Sequence, residues 1–349
     1  KNYRKAFPPF TGSNKTNIHI RIFIGSIESI DELAMTFTSE VAIFLRWRDE
    51  RITFSNLAQR KNILSKDWQD QIWLPSLYFS NTKENKDVLS GNSIEVVIIP
   101  HGQATPNKKS ELNEANTFKG EENDLELESW NDITFKCNFE LWRYPFDVQH
   151  CSVDVKIQNR LRNYTILNPI EVTYAGIFNL ISYRKFSNLN PPLLNILGEM
   201  ALNQFNIRDF TISLERSWLV RAKFTLKRNP SFLIMNAYLP SFFTMVMTIV
   251  SLFLNDHLHF STTIMLVLTS QLCLYTLFQS SLEGIPKTAN MKMIDYWNML
   301  AMTVSLTNFF TLFMWEILKF TGIHSQLKIT TRILIPLITL VGHSVLERI

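Results

Sequence analysis

Cysteine is scarce in this chain of 349 residues. Cys137, Cys151 and Cys273 are too few for a disulfide-dense scaffold, and only the first two lie in a polar stretch, which leaves room for one bridge. Concentrated basic charge is missing as well. The formal charge of +4 is spread out, with no run of five cations and no arginine-rich helix, so a nucleic-acid partner is not expected. No glycine-rich phosphate loop or nucleophile motif is present. The histidines His19, His101, His150, His257, His259, His324 and His343 offer no metal-ligand spacing beyond His257-x-His259, which is too short by itself. Enzyme chemistry, a metal and a cofactor are therefore not expected. Nothing at Lys1 reads as a leader, so an exported polar half implies that the sequence begins in the mature form.

What is present divides into two halves, although the mean hydropathy is near zero. Lys1 to about Lys227 is polar and charge-rich. From Ser231 to Leu254 the chain runs 24 residues without Asp, Glu, Lys or Arg, enough for a helix to cross the hydrocarbon core. Further uncharged runs cover Phe260 to Leu282 and Tyr296 to Trp315. A fourth candidate, about Ile329 to Leu346, carries Arg332, Pro336 and His343 and competes with an interfacial or buried helix. Pro240 removes one backbone bond from the first span, a loss that neighbouring polar side chains can offset. Lys319, His324, Lys328 and Arg332 gather between the third and fourth spans. The positive-inside tendency puts that connection in the cytoplasm and both termini outside. An extracellular polar half agrees with an oxidised Cys137–Cys151 pair and with the sequons at Asn14 and Asn163.

The second span carries the most informative pattern. Thr262, Met265, Thr269, Leu272, Thr276, Gln279 and Glu283 recur at alternating steps of three and four, which aligns them on one stripe of a helix. Ile264, Leu266, Val267, Leu268, Leu274, Leu277 and Phe278 can face neighbouring helices. One such helix encloses nothing; several around an axis would line an aqueous path. The alternative is that the hydroxyls hydrogen-bond within a packed bundle. In the polar half, Ser93–Ile99, Asp209–Leu214 and Val220–Leu226 alternate apolar and polar residues, as strands with one buried face do. The expected outcome is an antiparallel, immunoglobulin-like β-sandwich. Thr105 to Asp124 lacks apolar periodicity and reads as a mobile insertion.

Cys137 and Cys151 enclose 13 residues ending Tyr144-Pro145-Phe146-Asp147-Val148-Gln149-His150. This resembles the signature loop of Cys-loop receptors. Trp47-Arg48-Asp49-Glu50-Arg51-Ile52 is similar to that family's W-x-D-x-R-L strand, and Trp73-Leu74-Pro75 to its W-x-P turn. Arg228-Asn229-Pro230, Pro240, Thr269, Leu272, Glu283 and Pro286 follow in the family's order. The resemblance implies an extracellular ligand-binding domain over 1–228 and a four-helix transmembrane domain over 229–349, with spans near 230–254, 260–283, 292–319 and 328–347. It implies a homo- or hetero-pentamer in the plasma membrane, made with four further like subunits. Permeant inorganic ions would pass, weakly in favour of cations, with lipid around the bundle. The alternative of the same fold is a non-conducting binding or assembly subunit.

The resemblance also assigns roles. Leu272 would be the gate, Met265 a lower constriction and Glu283 an outer acidic ring. Asp147, Arg228, Pro286 and Lys287 would couple ligand binding to gating. Where amine-binding members place an aromatic box, this chain has Ala42, Ser80 and Gln158, with Tyr78, Phe79 and Trp218 nearby. The ligand-binding candidates are thus Tyr78, Phe79, Gln158 and Trp218, and the agonist is a proton, an acidic molecule or another small solute rather than a quaternary amine. The carboxylate that cation channels of the family carry at the cytoplasmic mouth of the pore helix is replaced by Phe260-Ser261-Thr262-Thr263, and an anion-type Pro-Ala-Arg is absent too.

Overall fold

The computed structural model describes residues 3–9, 15–91, 93–106, 116–174, 200–201, 204–254, 260–283 and 290–318, together with 330, 331, 333 and 336. The chain divides into two compact units. The first comprises Lys1–Phe139 and Gln149–Leu226; the second joins Glu140–Val148 to Lys227–Ile349.

The first unit is a β-sandwich. Its six-stranded sheet contains β1 (Thr16–Asp31), β2 (Thr36–Trp47), β4 (Asn62–Ile63), β6 (Ser93–Ile99), β9 (Asp124–Lys136) and β11 (Thr165–Tyr174), in the order β11-β1-β2-β9-β6-β4. The facing sheet contains β5 (Leu77–Phe79), β10 (Val148–Ile157), β12 (Met200–Ala201), β13 (Phe205–Arg216) and β14 (Leu219–Arg228), in the order β12-β13-β14-β10-β5. β1 runs parallel to β11, whereas β1–β2, β2–β9, β6–β9, β4–β6, β5–β10 and β12–β13 pair antiparallel. Alternation dictates the core: Ile18, Ile20, Ile22 and Ile24 on β1 and Val153, Val155 and Ile157 on β10 all point inward. Aromatic rings join the two layers, Phe37 of β2 meeting Phe224 of β14 at 5.2 Å and Phe79 of β5 meeting Phe135 of β9 at 5.7 Å.

A small third sheet, in the order β3-β8-β7, forms from β3 (Thr53–Ser55), β7 (Thr105–Pro106) and β8 (Asn116–Lys119). The stretch Thr105–Asp124 is therefore not simply a mobile insertion, because its two ends are hydrogen-bonded strands; residues 107–115 lie outside the described residues. Gly120 explains how it is anchored. Its amide donates to the Ile52 carbonyl at 2.9 Å, and a Cβ there would meet the Asp49 carbonyl oxygen at 2.1 Å. The Trp47–Ile52 motif acts at this turn: buried Asp49 accepts from Arg51 Nε at 2.8 Å, Arg51 Nη2 at 2.7 Å and the Tyr3 hydroxyl at 2.9 Å. Burial pushes the Tyr3 phenol up to about 12, so it remains a donor across the physiological range.

Nearby, burial raises the Glu126 carboxyl, but hydrogen bonds from Lys61 and Arg46 outweigh it and hold the group below its ordinary value. A depressed acid contributes stability above the unfolded pKa of about 4.3, and loses it as pH falls through the folded value.

Among the described residues, three helices of the second unit are long and apolar enough to cross a membrane: Ser231–Phe253, Phe260–Ser281 and Met293–Leu318. The fourth expected span, 328–347, falls on residues of which only 330, 331, 333 and 336 are described. A short helix α1 (Lys66–Gln69) belongs to the first unit. The membrane segment starts with α2 (Ser231–Leu233), widens into a π-helical turn at Ile234–Tyr238, and continues as α3 (Leu239–Leu254). The widening sits just before Pro240, whose ring has no N–H and clashes with the preceding turn. Ser241 offsets the disturbance by donating to the carbonyls of Ala237 at 2.7 Å and Tyr238 at 2.9 Å.

Helix α4 (Phe260–Leu282) and helix α5 (Met293–Leu318) complete the described bundle. Trp297 of α5 donates to Ser241 at 2.7 Å, Asn298 to Ser281 of α4 at 3.2 Å and Asn308 to Thr248 of α3 at 3.2 Å. Such polar contacts, together with small residues, take the place of the hydrophobic drive that lipid cannot supply. Leu252, Val267, Leu312 and Trp315 pack as one apolar cluster, and Met245, Leu274, Ala301 and Val304 as another.

Candidate functional site

Helix α4 is two-faced in the way its sequence stripe requires. Thr263, Val267 and Leu274 are buried, the last two in clusters with residues of α3 and α5. Thr262, Met265, Thr269, Leu272, Thr276 and Gln279 are exposed along the other side, and Glu283 is exposed in the turn beyond it. Leu272, at 64% exposure, and Met265, at 60%, are large apolar groups left uncovered among the described residues. The Thr269 and Thr276 hydroxyls donate to the Leu266 and Cys273 carbonyls at 2.9 and 2.8 Å. Their protons are thereby spent within the helix, and their oxygens remain as acceptors. Leu268 and Tyr275 are exposed too, so the bare face is wider than the stripe.

A second constellation lies at the start of the helical unit. The Cys137–Cys151 disulfide closes the 13-residue loop, and its segment Glu140–Val148 belongs to the same compact unit as the helices. Asp147 and Arg228 are brought together there. Arg228 Nε donates to one carboxylate oxygen at 2.6 Å and Nη2 to the other at 3.2 Å, while the Arg228 amide reaches the Asp147 carbonyl at 3.2 Å. Both side chains are almost wholly buried, at 2% and 1% exposure, which makes this pair far more consequential than a surface one.

Sequence reasoning missed the aromatic setting of this pair. The Arg228 guanidinium sits 4.6 Å from the centre of the Tyr144 ring, and Phe146 meets Tyr238 at 6.4 Å. The amide of Met293, which opens α5, donates to the Trp142 carbonyl at 3.0 Å. The loop thus holds the starts of two described helices, that of α2 through Arg228 and that of α5 through Met293. Three aromatic residues within Trp142–Phe146 were the available signal. Pro286 and Lys287, the other two coupling candidates, lie outside the described residues, as does the sequon at Asn14. Asn163 is exposed in a turn after β10.

The ligand-binding candidates separate. Phe79 is fully buried in the sandwich core against Phe135; with no surface to offer, it is a packing residue and not a ligand contact. Tyr78, on the other face of β5, is half-buried opposite Lys156 of β10. Gln158 follows β10, its amide donating to the Ser76 carbonyl at 3.3 Å. Trp218 lies in the turn between β13 and β14. Its carbonyl accepts from the Ile157 amide at 3.1 Å, and that of Ser217 accepts from the Leu167 amide at 3.0 Å. The hairpin tip is therefore tied to β10 and β11.

Residues 1–115 match the family model described as the neurotransmitter-gated ion-channel ligand binding domain. The chain is 24% identical over 299 residues to gamma-aminobutyric acid receptor subunit beta-4 of Gallus gallus, covering 86% of this chain and 54% of that protein. It is 23% identical over 301 residues to gamma-aminobutyric acid receptor subunit rho-3 of Homo sapiens, covering 83% and 56% respectively. The chain thus spans about half the length of these relatives. A β-sandwich, a disulfide-closed loop, apolar helices and these likenesses lead to one conclusion: the chain is similar to the Cys-loop receptor family of ligand-gated ion channels.

Proposed function

We propose that this chain is one subunit of a pentameric channel in the plasma membrane, opened by a small extracellular ligand bound between neighbouring polar units. Five copies of α4 line the pore. The observation that carries this reading is the stripe from Thr262 to Glu283: every member is exposed, while Thr263, Val267 and Leu274 on the same helix are buried. A water-lined path at the centre of a ring gives that face a use that lipid does not.

Coupling runs through covalent continuity. β10 begins at Val148, next to Asp147, and β14 ends at Arg228, and these two strands are neighbours in one sheet. A ligand that shifts them pulls on the buried ion pair, and through it on α2 and on Met293.

For ion choice, Glu283 at the outer end of α4 and the outward hydroxyl oxygens of Thr269 and Thr276 favour cations. The likeness to gamma-aminobutyric acid receptor subunits lends that preference no support. Cells expressing the chain alone decide it: under a sodium chloride gradient, the zero-current potential is expected to follow the sodium potential. Following the chloride potential overturns the cation preference and leaves the channel. The exposed apolar Met265 and the uncharged Phe260–Thr263 mouth favour a second reading, a non-conducting partner subunit. Silence of the chain alone, relieved by co-expression of a related subunit, selects it.

A further inference from the structure

Polar residues separate the two apolar clusters of the helical unit on all three helices. On α3, Thr248 and Ser251 stand between Met245 of one cluster and Leu252 of the other; on α4, Ser270 and Gln271 stand between Leu274 and Val267; on α5, Ser305 and Asn308 stand between Val304 and Leu312. These residues therefore form one layer across the bundle. Thr248, Ser305 and Asn308 are fully buried in it, and Gln271 adjoins Leu272 of the bare face.

Part of the layer satisfies itself. Thr248 donates to the Met245 carbonyl at 2.7 Å, Ser251 to the Thr248 carbonyl at 2.6 Å and Ser270 to the Leu266 carbonyl at 2.8 Å. With its proton committed, the Thr248 hydroxyl oxygen can only accept, which fixes the Asn308 amide with Nδ2 donating to it at 3.2 Å. Three buried atoms are left without a partner among the described residues: Oδ1 of Asn308, Oε1 of Gln271 and Oγ of Ser305. The two amide oxygens only accept, whereas the hydroxyl has a single proton to give, so no direct pairing among the three satisfies them all. A water molecule has the complementary count, two protons for the amide oxygens and a lone pair for the serine proton.

We infer that this layer binds one buried water, which donates to Asn308 Oδ1 and Gln271 Oε1, accepts from Ser305 Oγ, and so ties α4 to α5 between the two apolar clusters. Ser305 and Asn308 are three residues apart and are neighbours on one face of α5. Polar within and bounded along the helices by apolar packing, the layer is the kind of place where single waters are held in protein interiors, with about three hydrogen bonds each.

The test is electron cryomicroscopy of the purified full chain in lipid nanodiscs, at a resolution that shows ordered solvent. A single solvent peak is expected at about 2.7 to 3.2 Å from Ser305 Oγ, Asn308 Oδ1 and Gln271 Oε1 at once. No peak there, or one that fails to bridge α4 and α5, overturns the assignment. Thermal denaturation of the same particles gives a second readout, because a bare buried oxygen and a hydrated one respond oppositely to removal. Ser305→Ala and Gln271→Met are each expected to lower the midpoint by about 2 °C or more, since the remaining partners lose part of their bridge. Deleting a bare polar atom would instead raise it. Midpoints that rise or stay unchanged in both variants overturn the water site, and the wild-type solvent peak decides the matter where a variant fails to fold.

Discussion

Replacing Leu272 by serine is expected to lower the agonist concentration for half-activation by at least about tenfold and to leave a standing current without agonist. In a closed ring, five leucine side chains would face one another across a narrow apolar girdle, and such a girdle blocks ions by expelling water rather than by filling the space. Leu272 suits this role because it is 64% exposed within one chain and flanked along its stripe by the hydroxyls of Thr269 and Thr276. A serine at each of five positions gives water a donor and acceptor where only methyl groups stood. A tenfold change corresponds to about 1.4 kcal/mol, a small demand on five simultaneous substitutions. The measurement is a dose–response curve from cells expressing the variant. Unchanged sensitivity with no standing current removes Leu272 as the gate, and Met265 then becomes the remaining apolar constriction on the stripe.

The second large effect is expected at Asp147 and Arg228. Removing one member of a buried ion pair leaves its partner uncompensated, at a cost of about 3 to 5 kcal/mol. Asp147→Arg and Arg228→Asp, each alone, should therefore abolish most evoked current. Combining them should restore part of it, with a coupling energy of about 2 kcal/mol in a double-mutant cycle. Recovery will be incomplete, because Tyr144 lies against the guanidinium of Arg228 and would face a carboxylate after the exchange. Surface labelling of the same cells separates lost gating from lost folding. Normal surface levels with strictly additive losses of current reject direct pairing as the coupling element.

Much of this was legible because membrane and sheet each impose a period. The stripe on α4 could be read since a long uncharged run fixes a helix and steps of three and four fix a face. Ser93–Ile99, Asp209–Leu214 and Val220–Leu226 fall within β6, β13 and β14 because alternation is all that a half-buried strand requires. Asp147 and Arg228, 81 residues apart, could be paired only through the family resemblance.

Other features had no local signal. β7 and β8 are two and four residues long, too short for a period, and depend on a close approach at Gly120 that no pattern announces. In the three-residue β5, alternation cannot say whether Tyr78 or Phe79 faces the core, and the structure gives that place to Phe79. The π-helical turn before Pro240 depends on how the proline ring is relieved, which involves Ser241 and, from another helix, Trp297.

The central claim concerns what the bare face of α4 turns toward. Imaging purified particles of the full chain in lipid counts the subunits and fixes that direction at once. The account predicts five chains around an axis, with Thr269 and Leu272 facing it and Val267 and Leu274 turned away. Monomeric particles, or a ring with Thr269 and Leu272 turned from its centre, would contradict it.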